Sequence, residues 1–112
     1  MKYSLSGIIA SSVWNPVISG NSFQGTGRGT TTQGIVFGEY RHPLRTGTVS
    51  GNAVRGFHEG IIASESTCID IHDNDSTGNV GTDCVDLSGD QNTWTNNVGD
   101  ESLPAGICTP AP

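Results

Sequence analysis

Lysine and arginine are missing from the whole second half of this chain. All five basic residues (Lys2, Arg28, Arg41, Arg45, Arg55) lie in the first 60 positions, with only Glu39 and Glu59 against them, so that half carries +3. The remainder holds nine acids and no Lys or Arg, which gives it -9 and the whole chain -6. Five scattered cations make no basic face for neutralising phosphates, so nucleic acid is excluded as a partner. Leucine is nearly as scarce, with 4 residues against 17 Ile and Val in a chain of 112. That balance excludes helix bundles and coiled coils, because stiff β-branched side chains favour strands. No apolar run approaches the roughly 20 residues needed to span a bilayer, which excludes a membrane-spanning helix. The opening run Met1-Lys2-Tyr3-Ser4-Leu5-Ser6 has no apolar stretch of signal-peptide length. The three cysteines, Cys68, Cys84 and Cys108, form no Cys-x-x-Cys pair and have no zinc-knuckle spacing.

What the chain has instead is Gly, Ser, Thr and Asn, at 16, 12, 12 and 8 residues. Gly and Asn in that number mark frequent tight turns, and with Ile and Val between them the composition predicts an all-β fold. An internal repeat organises it. Gly7-Ile8-Ile9-Ala10-Ser11 recurs as Gly34-Ile35-Val36-Phe37-Gly38 and as Gly60-Ile61-Ile62-Ala63-Ser64. A second block, Ile18-Ser19-Gly20-Asn21, recurs as Val49-Ser50-Gly51-Asn52, with degenerate copies ending at Asn74 and Asn97. The register marks fall at Gly7, Gly34, Gly60, Asp83 and Gly106.

This spacing predicts a solenoid of three short strands per coil, four to five coils in all, each strand pairing in parallel with its equivalent about 4.8 Å away. In the third coil the strands are read at 60–64, 69–73 and 75–77. Ile9, Val36, Ile62 and Val85 are expected to form one inward column, and Ile18, Val49, Ile71 and Trp94 another. Asn21, Asn52, Asn74 and Asn97 are expected to stack as an Asn ladder, since Asn tolerates the left-handed conformation that such a bend needs. The whole chain, 1–112, reads as one domain, ended by a proline-rich tail at 104–112 where proline cannot extend a ladder. Residues 2–6 alternate like a strand that wants a partner before it. This points to the C-terminal part of a longer solenoid, or to an open first coil that pairs with another chain.

The repeated Gly-Ile-[Ile/Val] and [Ile/Val]-Ser-Gly-Asn blocks resemble the right-handed parallel β-helix repeats of the pectin-lyase-like superfamily. The stretch from Gly81-Thr82-Asp83-Cys84 through Asn92-Thr93-Trp94-Thr95 to Gly106-Ile107-Cys108 resembles the C-terminal coils of its secreted bacterial members. The resemblance implies a right-handed parallel β-helix, an extracellular or cell-surface location, and a function on polysaccharide. It also implies a disulfide between Cys84 and Cys108, because such proteins end this way; their near-common register is compatible with it. Cys68 is then left free. The chain departs from the family in having few coils.

Three surface features carry candidate chemistry. With Ile69 and Ile71 inward, strand alternation puts Asp70 and His72 side by side on the outer face, an acid/base pair suited to neutral pH. The stretch Asp70-Ile71-His72-Asp73 is similar to the Asp-Pro-His-[Glu/Asp] motif of alginate C5-epimerases, whose Asp and His are catalytic. Here Ile71 replaces the proline, and Ser66, Thr67 and Cys68 stand where those enzymes place a tyrosine. Next, the insertion Glu39-Tyr40-Arg41-His42-Pro43-Leu44-Arg45 lengthens the second coil. Solenoid insertions map to one face, often the binding face. Arg41 and Arg45 suit carboxylate recognition, and Tyr40 and Trp14 suit stacking on sugar rings. Lastly, Asp73-Asn74-Asp75-Ser76-Thr77-Gly78 opens like a calcium loop, but Cys84 stands where the closing carboxylate should be. No cofactor is expected; calcium in a looser site is the one left open.

The reading favoured by the sequence is a secreted, non-catalytic β-helix module that binds extracellular polysaccharide through Trp14, Tyr40, Arg41 and Arg45. A polyuronate lyase or epimerase centred on Asp70 and His72 comes second, because β-helix active sites usually span more coils and loops. A self-assembling structural solenoid comes third.

Overall fold

The computed structural model describes residues 15–25, 32–38, 45–89 and 91–110, together with the backbone of 6–10. Eleven strands and no helix are found among them. The first sheet consists of β1 (Ser6–Ala10), β4 (Gln33–Phe37), β7 (Glu59–Ala63), β9 (Thr82–Asp86) and β11 (Ser102–Leu103), in that spatial order. The second sheet runs β10 (Thr93–Thr95), β8 (Ile69–His72), β5 (Gly47–Ser50), β2 (Val17–Ser19). The third pairs β3 (Ser22–Gln24) with β6 (Ala53–Arg55) and continues through the single bridges Ala53–Asp75, Asp75–Val98 and Val98–Thr109. Every pairing is parallel, and each strand pairs with its counterpart one repeat on. The fold is therefore all-β, with parallel sheets compatible with a β-solenoid. The third strand expected at 75–77 is reduced to the Asp75 bridge.

The core forms where the three sheets face one another. Ile35, Phe37, Ile61 and Ala63 come from the first sheet, Ile18, Val49, Ile69 and Ile71 from the second, and Val54 from the third, with Phe57 between repeats. The column Ile18, Val49, Ile71, Trp94 stands in register, with Trp94 packed against the core and only partly buried. The other expected column is corrected. Ile35 and Ile61 point into the core and Cys84 follows them in register, while Val36, Ile62 and Val85 lie on the opposite side of the sheet. Those three are nevertheless buried, at 7%, 4% and 3% exposure.

The Asn ladder is present, and its geometry explains the sharp corner between the second and third sheets. The backbone N–H of Asn52 donates to Asn74 Oδ1 at 3.0 Å, and that of Asn74 to Asn97 Oδ1 at 3.2 Å. The side-chain amides of Asn52 and Asn74 donate onward to the next Asn, and all three donate back to a core strand: Asn52 to the Ile18 carbonyl, Asn74 to Val49 and Asn97 to Ile71, each at 2.9 Å. The left-handed residue is not the ladder Asn, as the sequence suggested, but the one before it. Gly20, Gly51, Asp73 and Asn96 have φ of 66°, 64°, 57° and 55°. The turn is thus supplied by one residue and its hydrogen bonds by the next.

The last register mark is also corrected. Glu59 pairs with Thr82 and Ile61 with Cys84, so Asp83 aligns with Gly60 as expected, but Ser102 pairs with Cys84, and this puts Glu101, not Gly106, opposite Asp83. A Cβ on Gly60 would collide with Ser76 Oγ and the Asp83 carbonyl. At Asp83 the buried carboxylate accepts from the Asn79 amide at 3.0 Å and the Asp100 N–H at 2.7 Å, holding the following turn. Cys84 and Cys108 are disulfide-bonded, with Cα atoms 6.2 Å apart. They do not share a register: Thr109 bridges Val98, so Cys108 falls on the ladder position after Asn97. The disulfide therefore links the ladder corner to the first sheet across the end of the last repeat.

Candidate functional site

The corner between the first and second sheets is wider and more irregular than the Asn corner, and it gathers polar side chains from successive repeats. Arg45 precedes β5, residues 64–68 lead from β7 to β8, and 87–92 lead from β9 to β10. Because those strands stack in register, the three connections lie side by side. Asn92 ties two of them together: its Oδ1 accepts from the Ile69 N–H at 3.0 Å and its amide donates to Ser66 Oγ at 3.0 Å. Ser66 and Ser88 share a further hydroxyl–hydroxyl hydrogen bond at 3.3 Å. Glu65 adopts φ of 48°, a left-handed turn that sends the chain around this corner.

A cavity of about 390 Å³ opens here, lined by Arg45, Glu65, Ser66, Thr67, Ser88 and Gln91. Leu87, 63% exposed, adds an apolar edge. Arg45 is exposed and has no ion-pair partner among the described residues. One cation, one carboxylate, three hydroxyls and an amide are suited to a hydroxyl-rich ligand that carries a carboxylate. Of the four residues expected to bind substrate, Arg45 lines this cavity, while Trp14, Tyr40 and Arg41 lie outside the described residues. The contributions of Glu65, Ser66, Thr67, Ser88 and Gln91 were not anticipated. Aligning the segments that follow each first-sheet strand would have found them, since all occupy the connection where the 39–45 insertion sits.

Asp70 and His72 sit on the outer face of β8 as alternation predicts, with the alternating Ile69 and Ile71 buried on the other. Across the sheet His72 aligns with Ser50 and Thr95, and Asp70 with Thr48 and Thr93. The imidazole does not bond Asp70. Its Nδ1 lies 2.9 Å from Asp73 Oδ2, and this hydrogen bond, aided by the charges of Asp70 and Asp73, raises the His72 pKa above 6.5 against a smaller opposing effect of burial. Neither residue lines this cavity.

The calcium-like stretch is occupied by its own contacts. Asp75 Oδ1 accepts from the Thr77 N–H at 3.1 Å and hydroxyl at 2.7 Å, and its Oδ2 pairs with Arg55 at 2.6 Å. Among the described residues no group of three or more His, Cys, Asp or Glu is placed to hold a metal ion. Cys68 is exposed and unpaired. No protein-family model, curated protein or solved structure matches this chain.

Proposed function

We propose that this chain is a right-handed parallel β-helix of the pectin-lyase-like kind that binds acidic extracellular polysaccharide without turning it over. The handedness is supported by the connectivity, because crossovers between parallel strands of one sheet are right-handed in about 98% of cases. An extracellular setting is supported by the Cys84–Cys108 disulfide, which persists in oxidising compartments. The observation that carries the binding reading is Arg45, unpaired among the described residues, at a cavity whose other polar lining is three hydroxyls, one amide and the single carboxylate of Glu65. A uronate carboxylate seats on the guanidinium while ring hydroxyls exchange hydrogen bonds with Ser66, Thr67, Ser88 and Gln91. Binding is preferred to catalysis because His72 is engaged with Asp73 on an open sheet face, away from this cavity.

Calorimetry with alginate and pectate oligomers tests this, with neutral dextran as control. A charge-assisted hydrogen bond contributes about 1.5–3 kcal/mol, so Arg45→Ala is expected to weaken polyuronate binding by roughly 10- to 150-fold. The reading fails if Arg45→Ala binds like wild type, or if wild type releases unsaturated or epimerised product that His72→Ala does not.

A further inference from the structure

A second cavity, about 190 Å³, lies beside β10, the last strand of the second sheet. Asp86, Asn92, Trp94, Pro104 and Ile107 line it. Asp86 is the unusual member. It aligns with Ala63, which aligns with Phe37, so a carboxylate stands where the preceding repeats place core apolar groups. Only 9% of it is exposed. Its hydrogen bonds all come from neutral donors: the Ser88 N–H at 2.8 Å, the Trp94 indole N–H at 2.8 Å and the Asn92 amide at 3.4 Å. Neither ion pair among the described residues involves Asp86, and no Lys or Arg follows Arg55 in the sequence.

A nearly buried carboxylate without a cation, opening on a cavity walled by an indole, has the two recognition elements of an ammonium site. The carboxylate supplies the counter-charge, and the aromatic ring attracts the cation through its quadrupole. The bond from Trp94 Nε1 to Asp86 fixes the ring and the carboxylate in one geometry before any ligand arrives. We propose that this cavity binds a compact organic ammonium group, which pairs with the Asp86 carboxylate and lies against the Trp94 ring. The site has no lining residue in common with the Arg45 cavity, although Ser88 and Asn92 connect the two through their hydrogen bonds to Asp86.

The test follows the Trp94 indole N–H resonance by NMR, identified by its loss in Trp94→Phe. Glucosamine and tetramethylammonium are titrated separately, distinguishing an amino sugar from a quaternary ammonium, with N-acetylglucosamine and glucose as neutral controls. At least one cation is expected to give a saturable shift, the neutral sugars none, and Asp86→Asn at least a tenfold loss of affinity. Should Asp86→Asn fail to fold, Ile107→Trp fills the cavity while leaving the Asp86–Trp94 bond in place, and is expected to abolish the response. Arg45→Ala is expected to leave it unchanged. The proposal is overturned if glucose or N-acetylglucosamine shifts the resonance as glucosamine does, if the response survives in either cavity variant, or if neither cation gives a saturable shift.

Discussion

His72 shows how one residue's neighbours reset its chemistry. Strand alternation puts Asp70 on its face, but the hydrogen bond goes to Asp73, the left-handed residue at the corner. That contact favours the imidazolium and is the main cause of the raised pKa. The sign follows from linkage. A His pKa raised by folding contributes stability below the unfolded value near 6.5, and the contribution is lost as pH rises through the folded pKa. The His72 NMR titration midpoint is therefore expected above 6.5, and Asp73→Asn is expected to lower it more than Asp70→Asn does. The stability difference between wild type and Asp73→Asn should be present at acid pH and fade above the folded midpoint. A larger effect from Asp70→Asn would instead assign the pair that the sequence suggested.

Among the elements, the Asn corner separates buried members of one motif from an exposed member. Asn74, 1% exposed, satisfies the Asn52 N–H and the Val49 carbonyl as well as both ladder neighbours. Truncating it orphans buried backbone groups, each of which costs about 1–3 kcal/mol. Asn21 is exposed at the first rung, and among the described residues its side-chain amide reaches only Asn52 and the carbonyl of Ser19 in its own repeat. Asn74→Ala is expected to lower unfolding free energy by about 2–5 kcal/mol and Asn21→Ala by less than about 1, because water can replace its contacts. Denaturant unfolding of the two variants checks this; equal losses would mean that the ladder is not graded by burial.

Over the whole molecule, stability is distributed along the stack. In a repeat architecture each layer is held mainly by its neighbours, so a terminal layer lacks half its support. There β11 has two residues before Pro104, and among the described residues the second sheet has no strand beyond β10. The Cys84–Cys108 bond, spanning 24 residues, compensates by tying the ladder corner to the first sheet. Loop-closure entropy assigns it about 3.5 kcal/mol. Reduction is expected to speed amide exchange first at Ser102, Leu103 and Thr109, while β4 and β7 stay protected. Uniform loss of protection across all strands would show that the bond supports the whole fold at once, not its last layer.

The sequence by itself determined the strand content, the period, the parallel register through Asp83 and the four Asn positions. Those depend on β-branched residues, on turn residues and on identities that recur at fixed spacing, all local properties of the chain. It did not determine which face of the first sheet turns inward. Ile35-Val36-Phe37 and Ile61-Ile62-Ala63 are apolar throughout, so a period of two has no polar residue to mark the outside. Tertiary packing decided that Ile35 and Ile61 face the core. It also decided that Cys108 reaches Cys84 from the ladder corner, because the last repeat is too short to keep the earlier spacing. Of the residues lining the two cavities, the sequence singled out only Arg45 as a binding residue, one whose chemistry is conspicuous by itself. The polar lining around Arg45 and the Asp86–Trp94 pair arise from residues that sequence separates and stacking brings together.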